Sequence, residues 1–211
     1  MNRHLRNLLL TPLLMLLLVS CTINVGASTP ITFPFTPDPA TCTVEPRSID
    51  SIIDVVGTPV PGAAQVEATP AAAMVVPEGT KADDATSKSV TSTIVQLFAC
   101  TNAGDFMRVY AYFTDGFLQQ FFVGTPLSDD VLAFITATPQ PLPEDQLRII
   151  VSIGDVRMLD DGRAAVEVVV DEPGDPRREK DSDVVLVKSG DTWLIDQEVE
   201  RVSTSTPEST S

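Results

Sequence analysis

Histidine is almost missing from this sequence: the one copy, His4, sits within the first few residues. If that leader is removed, as its own pattern implies, the remaining chain has no imidazole. That excludes histidine as a general base, serine triads built on it and most zinc ligand sets. Three cysteines, at 21, 42 and 100, form no CxxC pair, and no glycine-rich loop could cradle a phosphate. Basic residues are also scarce. Lys and Arg total 14 against 29 Asp and Glu, a formal charge of −15 at pH 7. Removing the first twenty residues takes away Arg3 and Arg6 and no acid, which deepens the imbalance. Such a chain is repelled by phosphate backbones, so nucleic acid is not expected as a partner. The loop acids Asp160, Asp161, Asp171, Glu172 and Asp175 have no calcium-loop spacing, and neither a metal nor a cofactor is expected. There is no adjacent arginine pair of the twin-arginine type ahead of the leading apolar run.

That run is the only long one. Arg3 and Arg6 precede Leu8 to Val19, which is interrupted only by Thr11 and Pro12. It falls short of the roughly 20 apolar residues that span a bilayer, and fits a signal-peptide core. It ends in Leu18-Val19-Ser20-Cys21, which resembles the lipobox of bacterial lipoproteins. The resemblance implies a signal peptide over residues 1–20, cleavage before Cys21 and a diacylglyceryl group on its thiol. The chain would then be held on the extracytoplasmic face of a cytoplasmic or outer membrane. Each buried methylene contributes about 0.8 kcal/mol, so two or more acyl chains anchor stably where one does not. The alternatives are an ordinary secretory peptide and an uncleaved anchor.

Seventeen prolines are many for this length; nine lie between Pro30 and Pro77 and none between Glu78 and Thr125. Residues 21–86 therefore read as a Thr/Pro/Ala-rich tether, extended because proline removes donors and disfavours helix before it. One patch near 42–56 differs: Ile49, Ile52, Ile53 and Val56 have helical spacing. In an oxidising compartment, with Cys21 acylated, Cys42 and Cys100 make an even pair, and a bridge between them is expected. The alternative is two unrelated free thiols.

From 87 to 200 the pattern is that of a packed domain. Val90, Ile94, Leu97 and Cys100 or Thr101 mark one helix, stopped at Gly104. Asp105 can cap a second with Phe106, Val109, Tyr110 and Phe113, Asp115 a third turn with Leu118, Phe121 and Phe122, and Ser128 a fourth helix with Val131, Leu132 and Ile135. Four strands are expected after the Pro139, Pro141, Pro143 cluster: Leu147–Ile153, with a bulge at Gly154 and continuation to Met158, then Ala164–Val170, Asp183–Lys188 and Thr192–Val199. Asp161-Gly162 and Ser189-Gly190-Asp191 are turns. Asp171–Ser182 reads as an exposed loop and 201–211 as a disordered tail. Helices followed by an antiparallel meander indicate an α+β domain, N-terminal helices packed on a curved four-stranded antiparallel sheet.

Two sets of motifs resemble nuclear-transport-factor-2-like domains, in particular their SnoaL-like members. The first is Ala99-Cys-Thr-Asn-Ala-Gly-Asp-Phe, then Tyr112-Phe-Thr-Asp-Gly-Phe-Leu. The second is Ile153-Gly-Asp-Val-Arg-Met-Leu-Asp-Asp-Gly-Arg-Ala, then Val184-Val-Leu-Val-Lys-Ser-Gly-Asp-Thr-Trp-Leu-Ile-Asp. The stretch 117–125 departs from the family pattern. The resemblance implies a cone of helices on a bent sheet with a pocket at its wide end, in a family of isomerases, cyclases, dehydratases and non-catalytic binding or dimerising modules. Candidate pocket residues are Phe106, Tyr110, Phe113, Phe117, Phe121 and Trp193, although helical spacing of aromatics also describes a core. Asp115 is nearest the acid used as base in some of these enzymes, although its place at a helix start reads first as a helix cap. Glu167 and Asp196 are strand acids of either inward or outward aspect, and Arg148 and Arg157 are candidate anion binders.

The expected function is a non-enzymatic envelope lipoprotein. It would be attached to membrane through lipid on Cys21 and bind a small apolar ligand or an envelope protein partner. The rivals are an exported enzyme using carboxylate acid–base chemistry on a small hydrophobic substrate, and a homodimerising or structural module.

Overall fold

The computed structural model describes residues 32–57, 76–175 and 178–201. The leader, Cys21 and the tail beyond Arg201 lie outside them. Among the described residues the architecture is mixed helix and antiparallel sheet. The helices are α1 (Ile49–Gly57), α2 (Asp84–Asn102), α3 (Phe106–Val109), α4 (Asp115–Phe121) and α5 (Asp129–Ile135). The strands are β1 (Thr80–Lys81), β2 (Ile149–Ile153), β3 (Arg157–Met158), β4 (Ala164–Asp171), β5 (Glu179–Ser189) and β6 (Thr192–Glu200). None of these helices is long and apolar enough to cross a membrane.

Capping chemistry sets the helix limits. Asp83 accepts from the Thr86 amide, Asp105 from Arg108, Thr114 from Phe117 and Ser128 from Val131, each satisfying a first-turn donor. Two expected starts shift. The long helix begins at Asp84 rather than near Ser87, and Thr114, not Asp115, caps α4. A hydroxyl one residue earlier reaches the Phe117 amide, which leaves Asp115 to face Arg47. Gly104 ends the α2 turn at φ 66°, and a Cβ there would sit 2.3 Å from the Gln140 carbonyl oxygen, so glycine is required twice over.

The sheet has six strands, not four, in the order β1-β3-β4-β5-β6, with β2 also paired to β4. The expected continuous strand from Leu147 to Met158 breaks after Ile153. Its two pieces, β2 and β3, pair with opposite ends of β4. The added strand β1 comes from within the expected tether and pairs with β3. The expected loop Asp171–Ser182 shrinks, because β4 and β5 pair all the way to Asp171 opposite Glu179. Intrinsic strand preference argues against so many acids, but the backbone ladder and side-chain ion pairs override it. Bulges lie between Ile150 and Ser152 and between Val185 and Leu186, where extra residues bend the sheet.

Alternation along β4 divides the two faces. Ala164, Val166, Val168 and Val170 join the main core with Val184, Leu186, Trp193 and Ile195, under the helices. Ala165, Val185 and Leu159 form a small second cluster, touched by Val76.

The segment 32–57 is built into the domain more widely than the expected patch. Phe35 exchanges two backbone hydrogen bonds with Ile150, and Pro37 is fully buried. Cys42 is disulfide-bonded to Cys100, which is itself fully buried near the end of α2. Two residues on, the fully buried Asn102 donates to the Pro37 carbonyl (3.0 Å) and the Arg148 carbonyl (3.1 Å), and its own side-chain oxygen accepts from the Arg148 amide (2.7 Å). One amide thus joins the arm, α2 and the entry to β2.

Both ties can be tested in solution. Thiol titration of the denatured, unreduced protein with peptide mapping should find Cys42 and Cys100 unreactive, and reduction should lower stability by up to about 4 kcal/mol for a loop of 58 residues; free thiols at both positions would refute the bridge. Asn102→Ala should cost about 2–4 kcal/mol in urea unfolding, because it strands buried backbone groups of Pro37 and Arg148. A loss below about 1 kcal/mol would show that water replaces the amide.

Candidate functional site

The helices do not close completely over the sheet. Between α2, α4 and the far halves of β4, β5 and β6 lies a half-open cleft of about 100 Å³. Its walls follow from helical periodicity on one side and strand alternation on the other. Ile94, Leu97 and Phe98 come from α2, Phe117 and Phe121 from α4, with Phe113 just before it. Val168, Val170, Val184 and Ile195 form the floor. Phe113 meets Phe117 edge-to-face at 4.8 Å, and Phe121 lies 5.9 Å from Phe113. Such tilted contacts hold the rings as a wall rather than as loose side chains.

The rim is polar. Glu172, Lys180, Ser182 and Glu198 border the cleft. A shallower depression sharing Phe117, Phe121, Lys180, Ser182 and Glu198 extends it outward past Gln120 and Glu200. Lys180 lies 2.6 Å from Glu172 and 3.4 Å from Asp175, and these hydrogen bonds and charges raise its pKa against a smaller desolvation effect. Arg148 stands 3.7 Å from the other Glu172 oxygen and donates to the Pro173 carbonyl. Ser182 donates to Glu198 at 3.0 Å.

Of the residues singled out from sequence, Phe113, Phe117 and Phe121 line this cleft. Phe106, Tyr110 and Trp193 do not. Phe106 packs on Phe134 at 4.8 Å. Tyr110 is buried behind the aromatic wall, 5.8 Å from Phe121, and burial pushes its phenol up to about 12. Trp193 belongs to the core.

The candidate acids are elsewhere. Asp115 is paired with Arg47 at the start of α4, its side chain 71% exposed. Asp196 is the extra residue of the β6 bulge, opposite the step from Val185 to Leu186. It accepts from the Thr114 hydroxyl (3.1 Å) and from Arg163 (3.2 Å), joining α4 to the β3–β4 hairpin. Glu167 points away from the helices, between core residues Val166 and Val168, and pairs with Arg201. Arg157 is on that same outward face, 3.2 Å from Asp183. The polar rim is hidden in the sequence because Lys180 and Ser182 read there as loop. Period-two alternation through Lys180, Ser182 and Val184 is the signal that reveals it.

Around Glu167 the outward face holds an ion network. Arg201 contacts Glu167 and Asp183, and Asp181 lies 4.0 Å away with one buried oxygen that has no hydrogen-bond partner. Desolvation raises the Asp181 pKa above 3.8, aided by Glu167, Asp183 and Glu179 and opposed by Arg201. The folded state therefore holds that proton more tightly than the unfolded chain, and the resulting stability is lost as pH rises through the window above 3.8. Asp181→Asn should accordingly raise the urea midpoint at pH 7, corresponding to a gain in unfolding free energy under about 1 kcal/mol. The advantage should vanish at about pH 3, where the carboxyl is protonated in both states. A variant less stable at neutral pH would contradict this.

No family model matches the chain, and no curated protein matches it. Among solved structures it is similar to one described as "Ntf2 like protein involved in plasmid conjugation", at 19% identity, TM-score 0.37, and coverage of 59% of this chain. The chain spans 43% of that protein's length, and at this superposition the likeness decides neither activity nor partner.

Proposed function

We propose that this protein is an exported lipoprotein, held on the extracytoplasmic face through Cys21, whose nuclear-transport-factor-2-like domain binds a small apolar ligand without transforming it. The observation that carries the binding reading is the aromatic-walled cleft between α2, α4 and the sheet. Clefts of this make-up, apolar with a few polar groups at one end, are the usual form of small-molecule sites. Its volume admits a branch of about three or four carbons, since one water-sized group occupies about 30 Å³. A larger ligand would continue into the outer depression beside Gln120. The lipobox, the leading apolar run and the Cys42–Cys100 bond support export.

An enzyme reading has less behind it. Asp115, Glu167 and Asp196 border no part of the cleft and are each paired with arginine. Glu172 borders it but is bound to Lys180, so acid–base chemistry there would have to use Glu198. The homodimer reading gains little from the outward sheet face, where an ion network adjoins an apolar cluster of three residues touched by Val76.

Native mass spectrometry of the full chain extracted from host membranes tests both parts. An acylated N-terminal Cys21 and a retained small molecule are expected. Leu97→Trp should fill the cleft and abolish retention while leaving far-UV circular dichroism unchanged. An unacylated chain still carrying Met1 would remove the anchor. A ligand retained equally by Leu97→Trp would remove the cleft.

A further inference from the structure

We propose that the cleft selects a cationic amphiphile: a ligand whose apolar end enters between Phe117 and the sheet valines while an amine or other cationic head rests at Glu198. This selectivity rests on the cleft being the ligand site, and the charges placed around its mouth give the class of ligand.

Two opposite groups compete to set that preference. Lys180 would attract an anionic head and Glu198 a cationic one, and both border the cleft and its outer extension. Their surroundings decide between them. Lys180 already lies within 2.6 Å of Glu172 and 3.4 Å of Asp175, so its single positive charge faces two carboxylates at short range. An anion approaching it would have to displace Glu172 and would meet Asp175, Glu198 and Glu200. Glu198 has the reverse situation. It accepts one hydrogen bond, from the neutral Ser182 hydroxyl, and has no cationic partner among the described residues. A carboxylate has about four lone-pair sites, so most of its acceptor capacity is available to a ligand.

The aromatic wall favours the same sign. Phe117 and Phe121 border both the cleft and the outer depression that contains Glu198. Phe121 is 54% exposed, so part of its ring is open to a ligand. Ring faces attract cations and not anions, most strongly where the cation is partly desolvated. The chain's overall charge of −15 adds a long-range attraction that concentrates cations near the surface but does not by itself choose a location.

The probes are n-hexylammonium, hexan-1-ol and hexanoate, which share one chain length and differ in head charge. Their binding to the full chain is followed by backbone amide chemical shifts at neutral pH. Hexylammonium should give saturable shifts at Leu97, Val168 and Val184 with an affinity at least fivefold above that of hexanoate, and the ratio should shrink as salt is raised. Glu198→Gln should lower hexylammonium affinity about fivefold or more and leave hexanol unchanged. Glu144→Gln, an exposed acid away from the cleft, should alter neither and so controls for bulk charge. Hexanol binding with no discrimination between the charged heads would overturn the cationic preference and leave the ligand site standing. A preference for hexylammonium that Glu198→Gln leaves intact would overturn the placement of the cationic head at Glu198. Failure of all three probes to shift the cleft residues would overturn the ligand site and the preference together.

Discussion

The attachment of the arm 32–57 to the end of α2 is the constraint on which the cleft depends. The Cys42–Cys100 bond and the buried Asn102 amide hold the arm at two places, on either side of the 3-10 turn Pro39–Thr41. The later part of the arm takes its position from that attachment. Arg47 donates to the Phe113 carbonyl and pairs with Asp115 in the first turn of α4. Further on, the Val55 carbonyl in α1 accepts from Gln119 of α4. Helix α4 has only seven residues, too short to be stable alone, so its position comes from such contacts. Phe117 and Phe121 are therefore aimed at the cleft by a segment that contributes no residue to its lining.

Asp196 supplies the other side of that placement. As the bulged residue of β6 it is turned toward Thr114, the cap of α4, and Arg163 of the hairpin. The Thr114 amide also donates to the Ile195 carbonyl, a backbone tie at the same joint. The two acids most suggestive of chemistry, Asp115 and Asp196, thus flank one helix start and locate it. Their proximity to Phe113 makes them neighbours of the cleft wall without giving them access to what lies inside.

The acidic composition has a structural consequence beyond solubility. With so few cations, several are shared by more than one carboxylate: Arg201 by Glu167 and Asp183, Lys180 by Glu172 and Asp175, Arg163 by Asp161 and Asp196. The Arg163 and Lys180 sets lie at hairpins and strand ends, while Arg201, just past β6, reaches Glu167 and Asp183 in the middle of β4 and β5, so that each set joins neighbouring strands. Partial exposure limits the contribution of each pair, but their distribution explains how β5 can begin in a run as charged as Glu179–Asp183 and still pair with β4.

Local chemistry was legible in the residues themselves. Caps at Asp105 and Ser128, the glycine stop at Gly104, the Asp161-Gly162 turn, the short isoleucine-rich helix and the cysteine pairing all rest on interactions over a few residues, or on a count of two thiols. The helix faces were legible for the same reason, since a period of about 3.6 shows which side is apolar. The partner of that side does not show, so the aromatics could be identified as inward but not sorted into core and cleft. Tyr110 and Phe121 are both helical and inward, yet only Phe121 reaches the opening. The roles of Asn102, Glu198 and Lys180 depend on groups 16 to 65 residues away or on strand pairing across a hairpin. A buried amide, a rim carboxylate and a neutralised lysine acquire their chemistry from what packing brings beside them. The sequence alone determined which residues turn inward and where helices stop; only tertiary packing decided which inward surfaces meet and which remain apart to leave a cleft, because complementarity between distant surfaces has no local signature.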